Sequence, residues 1–245
     1  PFAIYFQDSM AKKLEKGAGI TAVAALVENN TSGIISAGDA DILSPKDLVG
    51  KKYGTWNDPI ELAMLETLVS DQGGDFAKVE KVPNTDANSI TPIANQVFDA
   101  AWIYYGWDGI MAEEEGMETN FFYLTDFAPA FNYYSPVIIA NNDYLKENPE
   151  EAKKVLRAIK KGYQYAMAHP EESADILIKH APALEGQKDF VLASQIYLSE
   201  HYASDPDKWG EFDADRWNAF YAWAHEKGIL ESDLKDQGFS NDYLD

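Results

Sequence analysis

Short apolar runs broken by polar turns fill the first part of the chain, and apolar residues at helical spacing fill the last part. Phe2 to Phe6 is an apolar strand with no lead-in, and Met10 to Lys16 is a short helix ended by Gly17. Ile20 to Val27 is almost continuously apolar, the pattern of a strand buried on both faces. Glu28 to Gly33 interrupts it, and Ile34-Ile35 resumes the extended pattern. Further strands are predicted over Lys51 to Gly54, Ala77 to Val82, Val97 to Tyr105 and Asn120 to Thr125, and Phe131 to Ala140 also reads as extended. Between them lie a helix opening at Asp58, a polar turn and short helix within Thr85 to Asn95, and a helix ending at Gly116. This alternation predicts an α/β architecture with mostly parallel strands. Beyond Asn141 the strands stop and four helices are predicted: Asn148 to His169, Pro170 to His180, Lys188 to His201 and Asp213 to Lys227, the last closed by Gly228. The opening strand reads as buried and would need neighbours on both sides, so we expect an N-terminal portion to precede residue 1.

The most informative stretch is Ile42 to Val69. Ser44-Pro45-Lys46-Asp47-Leu48 reads as a capped helical turn, Lys51 to Gly54 as a short strand, and Thr55-Trp56-Asn57 as the turn after it. Asp58-Pro59-Ile60-Glu61 is a helix start: Asp58 can cap, Pro59 suits the first helical position, and Glu61 stands where a capping-box partner belongs. The free N–H groups of that helix end and the Trp56 ring would face one space. That is the geometry of a ligand site at the carboxyl end of a strand, and equally of an ordinary strand-to-helix connection.

Composition narrows the partners. The 245 residues suffice for one large domain or two of ordinary size, and 46% apolar content supplies a sizeable core. A net charge of −21 argues against nucleic acid or an anionic membrane surface. Cysteine is absent, which removes disulfides, thiol nucleophiles and thiolate metal sites together. No apolar run approaches the ~20 residues of a membrane span. Arginine, the preferred planar fork for sulfonate and phosphate, occurs only at Arg157 and Arg216, both in stretches that read as surface helices. Aromatics are plentiful, with 12 Phe, 14 Tyr and 6 Trp. The balance favours a flat, neutral or weakly cationic ligand over a strong anion.

Catalytic signatures are weak. His169, His180, His201 and His225 lie near predicted helix ends without metal-protease spacing, so no metal or cofactor is expected. No nucleotide-binding or hydrolase motif is present, and Glu113-Glu114-Glu115 reads as a solvated helix face. Asp8, Glu61, Asp99 and Asp108 could act as acids or bases, although Asp8 and Asp108 equally suit helix caps and Asp99 sits inside a strand pattern. The recurring feature is polar and aromatic groups at strand ends: Tyr5 to Ser9, Tyr53 to Asn57, Trp102 to Trp107 and Phe131 to Tyr134. In a doubly wound fold such stretches can converge on one cleft whose aromatic walls stack a ring. Any single one of these aromatics could equally be core.

Three stretches, FQDSMAKKLEKGAGITAVAALVENNTSGIIS, SPKDLVGKKYGTW and DAAWIYYGWDG, resemble the NMT1/THI5-like substrate-binding proteins of ABC importers. NPEEAKKVLRAI and AHPEESADIL are similar to that family's C-terminal region. The QDS and NNTSGII stretches are closer to the branch that binds pyrimidine precursors of thiamine. The resemblance implies a periplasmic-binding-protein type II fold: two three-layer α/β/α lobes joined by crossing strands, with ligand clamped between them. Mapped onto this chain, lobe one holds residues 1–33 and 138–245 and lobe two residues 34–137. The family's N-terminal region would supply the first strand of lobe one, some ligand contacts and a secretion signal.

By the same resemblance Gln7, Asp8, Ser9, Asn30, Ser32, Thr55, Trp56, Asn57, Glu61, Trp102, Tyr104, Tyr105, Trp107, Asn132 and Tyr133 line the ligand site. Trp56 and Tyr104 would be the stacking walls, and Asp8 or Glu61 would accept a hydrogen bond from an exocyclic amine. The implied protein is not an enzyme. It is an extracytoplasmic, periplasmic or lipid-anchored component that delivers a small aromatic solute, such as a hydroxymethyl- or formylaminomethyl-pyrimidine, to an ABC permease. Riboflavin, nitrate, sulfonate or taurine are the alternative ligands. A pyrimidine synthase of the THI5 kind is disfavoured, since that enzyme uses an active-site His and a Cys-rich motif, while this chain has no Cys and no His before residue 169. A monomer is expected, with dimerisation through an incomplete sheet edge as the hazard.

Overall fold

The structure is a computed structural model that describes residues 1–85 and 88–244. Its strands in chain order are β1 (Phe2–Tyr5), β2 (Ile20–Ala25), β3 (Ser32–Ala37), β4 (Lys52–Thr55), β5 (Glu80–Pro83), β6 (Ala100–Tyr104), β7 (Thr119–Tyr123) and β8 (Val137–Asn141). Its α-helices are α1 (Gln7–Glu15), α2 (Pro59–Asp71), α3 (Ile90–Ala94), α4 (Ile110–Glu114), α5 (Asn142–Glu147), α6 (Pro149–Ala168), α7 (Pro170–His180), α8 (Lys188–Ser199) and α9 (Ala214–Glu226). These elements form two compact units, Pro1–Asn30 with Ala130–Asp245, and Thr31–Pro129. The sequence mapping had put the divisions after residues 33 and 137.

In the first unit β8 lies between β1 and β2 and is antiparallel to both, with Phe2 opposite Ala140 and Ile20 opposite Asn141. Its core gathers Val23, Ala24 and Leu26 with Ile138, Leu145, Leu156 and Trp209. The helices begin where local chemistry favours it. Pro149 opens α6 with Glu150 and Glu151 in its first turn, and the Asp213 carboxylate caps α9 by accepting from Arg216 N at 2.8 Å. Within the described residues β1 is an edge strand of this sheet, and Ile4 is 63% exposed.

The second unit has a five-stranded sheet in the order β5-β4-β6-β3-β7. β4 runs parallel to β5 and β6, whereas β3 is antiparallel to β6 and β7. The expectation of mostly parallel strands is therefore wrong: among the described strands only β5-β4-β6 pair in parallel, apart from an isolated parallel bridge between Ala22 and Phe239. An apolar run reports burial and not direction, and the antiparallel partners are far apart in the sequence. One face of the sheet packs Ile35, Ala101 and Ile103 with Ile90, Ile93, Phe98 and Ala112. Gly54 is required there, because a Cβ would lie 2.7 Å from the Phe98 ring.

The stretch from Phe131 to Ala140 is extended only in its second half. A 3-10 turn covers Pro129–Phe131, and the strand starts at Val137. The aromatics before it are held by α9: Phe131 lies edge-on to Trp223 at 4.8 Å, and Tyr133 packs on Phe220 at 4.4 Å. Of the polar turn expected before α3, Asp86 and Ala87 lie outside the described residues. Among the described residues no helix is long and apolar enough to cross a membrane.

Candidate functional site

The carboxyl ends of the parallel strands β5, β4 and β6 carry a connected set of polar and aromatic groups. α2 starts directly after β4, and its capping box is complete. The Asp58 carboxylate accepts from Ile60 N (2.7 Å) and Glu61 N (3.3 Å), and the Glu61 side chain reaches back to Asp58 N at 3.4 Å. Glu61 is buried and does more than cap. It accepts from Tyr53 Oη at 2.9 Å, Thr55 Oγ1 at 3.0 Å and Trp56 N at 3.1 Å. Burial pushes its carboxyl up from the ordinary value of 4.5, and the hydrogen bonds from Tyr53, Thr55 and the backbone oppose that rise.

Glu61 is thus the keystone of the turn, with both its oxygens accepting hydrogen bonds within the protein. Thr55 is likewise consumed, since its buried hydroxyl donates to Glu61 and accepts from Asn57 N at 2.9 Å. Asn57 sits exposed at φ 58°, a left-handed conformation that asparagine tolerates. The taut turn leaves Trp56 outside: its ring is 50% exposed and leans on the buried Trp102 ring at 6.0 Å and 40°. Trp102 Nε1 is buried and has no hydrogen-bond partner among the described residues.

Strand alternation separates the β6 aromatics. Ala101, Ile103 and Tyr105 pack into the unit's core, so Trp102 and Tyr104 belong to the opposite face. Tyr105 packs against the Phe121 ring at 4.7 Å and 58°, and its hydroxyl donates to Glu113. It is partly buried against the unit's core, on the face away from Trp102. Tyr104 is half-buried opposite the buried Ser32 of β3, and Trp107 is 43% exposed on the π-turn Tyr105–Gly109 that follows β6.

A polar chain joins the three strand ends. Asn84 N, just past β5, donates to Thr55 O at 2.8 Å, and Asn84 Nδ2 donates to Ser89 Oγ at 3.1 Å. Ser89 N in turn donates to the Asp108 carboxylate, whose other oxygen, Oδ1, is buried without a hydrogen-bond partner among the described residues. The sequence singles out Asp108 as a candidate acid, base or cap, and as one of the carboxylates beside Trp and Tyr that suit amino groups, but not Asn84 or Ser89. The available signal was an acidic residue placed directly after the strand-end Trp107.

The remaining expected residues lie in the first unit. Gln7 is fully buried: its amide donates to Trp217 O at 2.9 Å and accepts from Tyr134 N at 2.8 Å. It fastens α1 to α9. Asp8 Oδ1 accepts from Ser9 N at 2.6 Å, and Tyr133 Oη donates to Oδ2 at 3.5 Å; Ser9 is exposed. Asn132 Oδ1 accepts from Asn30 N at 2.9 Å, and its Nδ2 donates to Asn29 Oδ1 at 2.9 Å. Asn30 Nδ2 donates to Phe131 O. Asn30 and Asn132 are therefore loop staples. Arg216 completes them, donating to Asn29 Oδ1 and Glu28 O with its guanidinium 3.8 Å above the Tyr134 ring.

A family profile described as NMT1/THI5 like matches residues 1–173. The chain belongs to the NMT1/THI5-like family. Over 237 residues it is 23% identical to the formylaminopyrimidine-binding protein of Halalkalibacterium halodurans, covering 94% of this chain and 70% of that protein. Among solved structures it is similar to a zinc-bound ligand-binding component of an ABC-type import system from Staphylococcus aureus. That match has a TM-score of 0.73 and 14% identity over 99% of this chain and 79% of the other. A third similarity is to the alkanesulfonate-binding protein of Xanthomonas axonopodis pv. citri with MOPS bound, at TM-score 0.71 and 12% identity over 98% and 80% of the two chains. These structures share the periplasmic-binding-protein fold with this chain, as expected from the sequence. Within this NMT1/THI5-like protein the second unit brings together Thr55, Trp56, Asn57, Glu61 and Trp102, with Ser32 beside Tyr104. The first unit groups Asp8 with Tyr133 and Asn30 with Asn132.

Proposed function

We infer that this chain is a solute-binding component of an ABC-type importer whose ligand is a small, flat, nitrogen-rich aromatic of the thiamine-pyrimidine kind. The observation that carries the reading is the half-exposed Trp56 ring, backed by Trp102 with its unpartnered indole N–H. An exposed indole face stacks a ring, and a buried donor without a partner is stabilised by a ligand acceptor. The similarity to a formylaminopyrimidine-binding protein supports the ligand class, and the similarity to an import-system component supports the role. A lipid-anchored or periplasmic location and a permease partner follow from that role.

A sulfonate ligand is the second reading, favoured by the similarity to the alkanesulfonate-binding protein. Against it, both terminal nitrogens of Arg216 bond within the protein, to Asn29 Oδ1 and Glu28 O, and its guanidinium lies over the Tyr134 ring, which leaves the buried Nε as the nitrogen without a partner among the described residues. Native mass spectrometry of freshly purified protein, with identification of any released small molecule, tests the choice. Calorimetric titration with hydroxymethyl- and formylaminomethyl-pyrimidine, an alkylsulfonate and riboflavin follows. Saturable binding of a pyrimidine without its conversion over hours is expected. Chemical change of the pyrimidine would replace binding by catalysis, and binding of the sulfonate alone would replace the ligand class.

A further inference from the structure

Helices α6 and α7 of the first unit each carry a stripe at helical spacing. On α6 it runs through Ile159, Gly162, Tyr163 and Ala166. On α7 it runs from Ser173 through Ile176 and Leu177 to His180, with the two apolar side chains between polar ends. Apolar stripes of this spacing interlock when helices pack closely and so exclude water. These two do not close. They border a groove of about 600 Å³, completed by Gln195 of α8 and by Tyr202, and Ile176 and Leu177 both remain 45% exposed. The small residues of α6 account for the gap. Gly162 stands in mid-helix, and a Cβ placed on it meets no atom within 4 Å. A glycine in a helix interior is less favourable than alanine, so neither packing nor backbone preference explains this one. Its effect is to keep the groove open.

The lining selects the chemistry of an occupant. None of the lining residues is Asp, Glu, Lys or Arg, although these make up 25% of the chain. The inner wall is fixed: the Tyr163 ring stacks on Trp209 at 4.6 Å and 16°, Gln195 Nε2 donates to Ala166 O at 3.5 Å, and Tyr202 Oη donates to Gln195 Oε1 at 3.4 Å. Ser173 and His180, about 10 Å apart by the helical rise, have no side-chain hydrogen bond among the described residues. We propose that this groove binds an uncharged, elongated amphiphile, its apolar body along the two stripes and a hydroxyl or similar end group at Ser173 or His180. A buried charge would find no partner there, whereas a hydrogen-bonding end would. The groove shares no residue with the strand-end stretches of the candidate solute site, so it does not depend on which solute they take.

The test is calorimetric titration of the 245-residue chain with n-octanol and with octanoate, the same chain length carrying a charge. One octanol is expected to bind saturably per chain, and octanoate at least about tenfold more weakly at neutral pH. Gly162→Leu fills the open space and replaces a poor helix former by a good one. It is expected to abolish octanol binding with an unchanged or higher melting temperature. Leu177→Asp, at a half-exposed position, is the second variant should the first lose its circular-dichroism signature, and it should weaken octanol at least about tenfold. Absence of saturable octanol binding by the wild type, or binding that survives both variants, overturns the proposal. Equal affinity for octanoate overturns the uncharged class. A wild-type dimer that Gly162→Leu separates, without octanol binding, would give the groove to a second copy of the chain and overturn the amphiphile.

Discussion

Trp56 is held in place by its own backbone: its N–H is bonded to the buried Glu61 carboxylate while its ring stays half in solvent. Such a residue contributes little to folding and much to a stacked ligand. Trp56→Ala is expected to weaken aromatic-ligand binding by about 1–3 kcal/mol, from lost stacking and burial, with little change in the melting temperature. Calorimetry and a melting curve on the same sample check this; an unchanged affinity removes Trp56 from the site. Gly54, two residues earlier, is expected to behave oppositely. Gly54→Ala pushes a methyl into the Phe98 ring and should cost about 1–3 kcal/mol of stability, read by urea denaturation. At this scale the sequence showed which residue types stand at strand ends but not which way they point. Tyr104 and Tyr105 are adjacent and chemically alike, yet pleating sends Tyr105 into the core beside Phe121. The family resemblance placed Gln7 and Asn132 at the ligand site; their long-range bonds to Trp217, Tyr134, Asn29 and Asn30 could not be read from spacing.

The turn from β4 into α2 is the element whose local sequence states its structure most completely. Asp58, Pro59 and Glu61 predict a capping box, and the box is present because every group it needs lies within four residues. Its weakness is charge. Burial raises the Glu61 carboxyl above 4.5, so the folded state binds the proton more tightly than the unfolded chain does. Stability therefore falls as pH rises from the ordinary value through the folded one, and Glu61 adds nothing favourable through its charge above that window. Glu61→Gln keeps an acceptor for the Trp56 and Asp58 N–H groups and an amide for Tyr53, so it should flatten this part of the pH dependence of unfolding. Glu61→Ala instead leaves Tyr53 and Thr55 without a partner and should cost about 2–4 kcal/mol at any pH. Urea midpoints at pH about 4.5 and about 7 separate the two; an unchanged slope in Glu61→Gln would remove Glu61 as its source. Elements defined by distant partners were less legible. The apolar runs of β1, β2 and β8 announced burial, but that β8 lies antiparallel between the other two depends on neighbours more than a hundred residues away.

Over the whole molecule the dominant physical fact is the charge. Asp and Glu number 41 against 20 Lys and Arg, and the net charge is −21. Ion pairs such as Lys78–Asp75 and Lys188–Asp175 join exposed side chains, and Lys12–Glu15 joins a half-exposed lysine to a more covered glutamate. Pairs of that kind contribute about 0–1 kcal/mol each, while repulsion among excess carboxylates acts across each compact unit at low ionic strength. Folding therefore works against self-repulsion, and salt should relieve it. Raising NaCl from about 10 mM, where charges interact over ~30 Å, to about 100 mM, where they interact over ~10 Å, is expected to raise the melting temperature. A gain of about 1 kcal/mol corresponds to roughly 2–4 °C for a chain of this size. The opposite sign would mean that ion pairs hold the fold more strongly than the charge excess opposes it. The same repulsion raises the cost of an anionic ligand and lowers that of a neutral or weakly cationic one. Salt is accordingly expected to leave aminopyrimidine affinity nearly unchanged, whereas any residual sulfonate affinity should strengthen as the carboxylates are screened. Titrations of both probes at the two salt concentrations decide between these dependences, and sulfonate binding that weakens with salt would mean a local cationic site outweighs the overall charge.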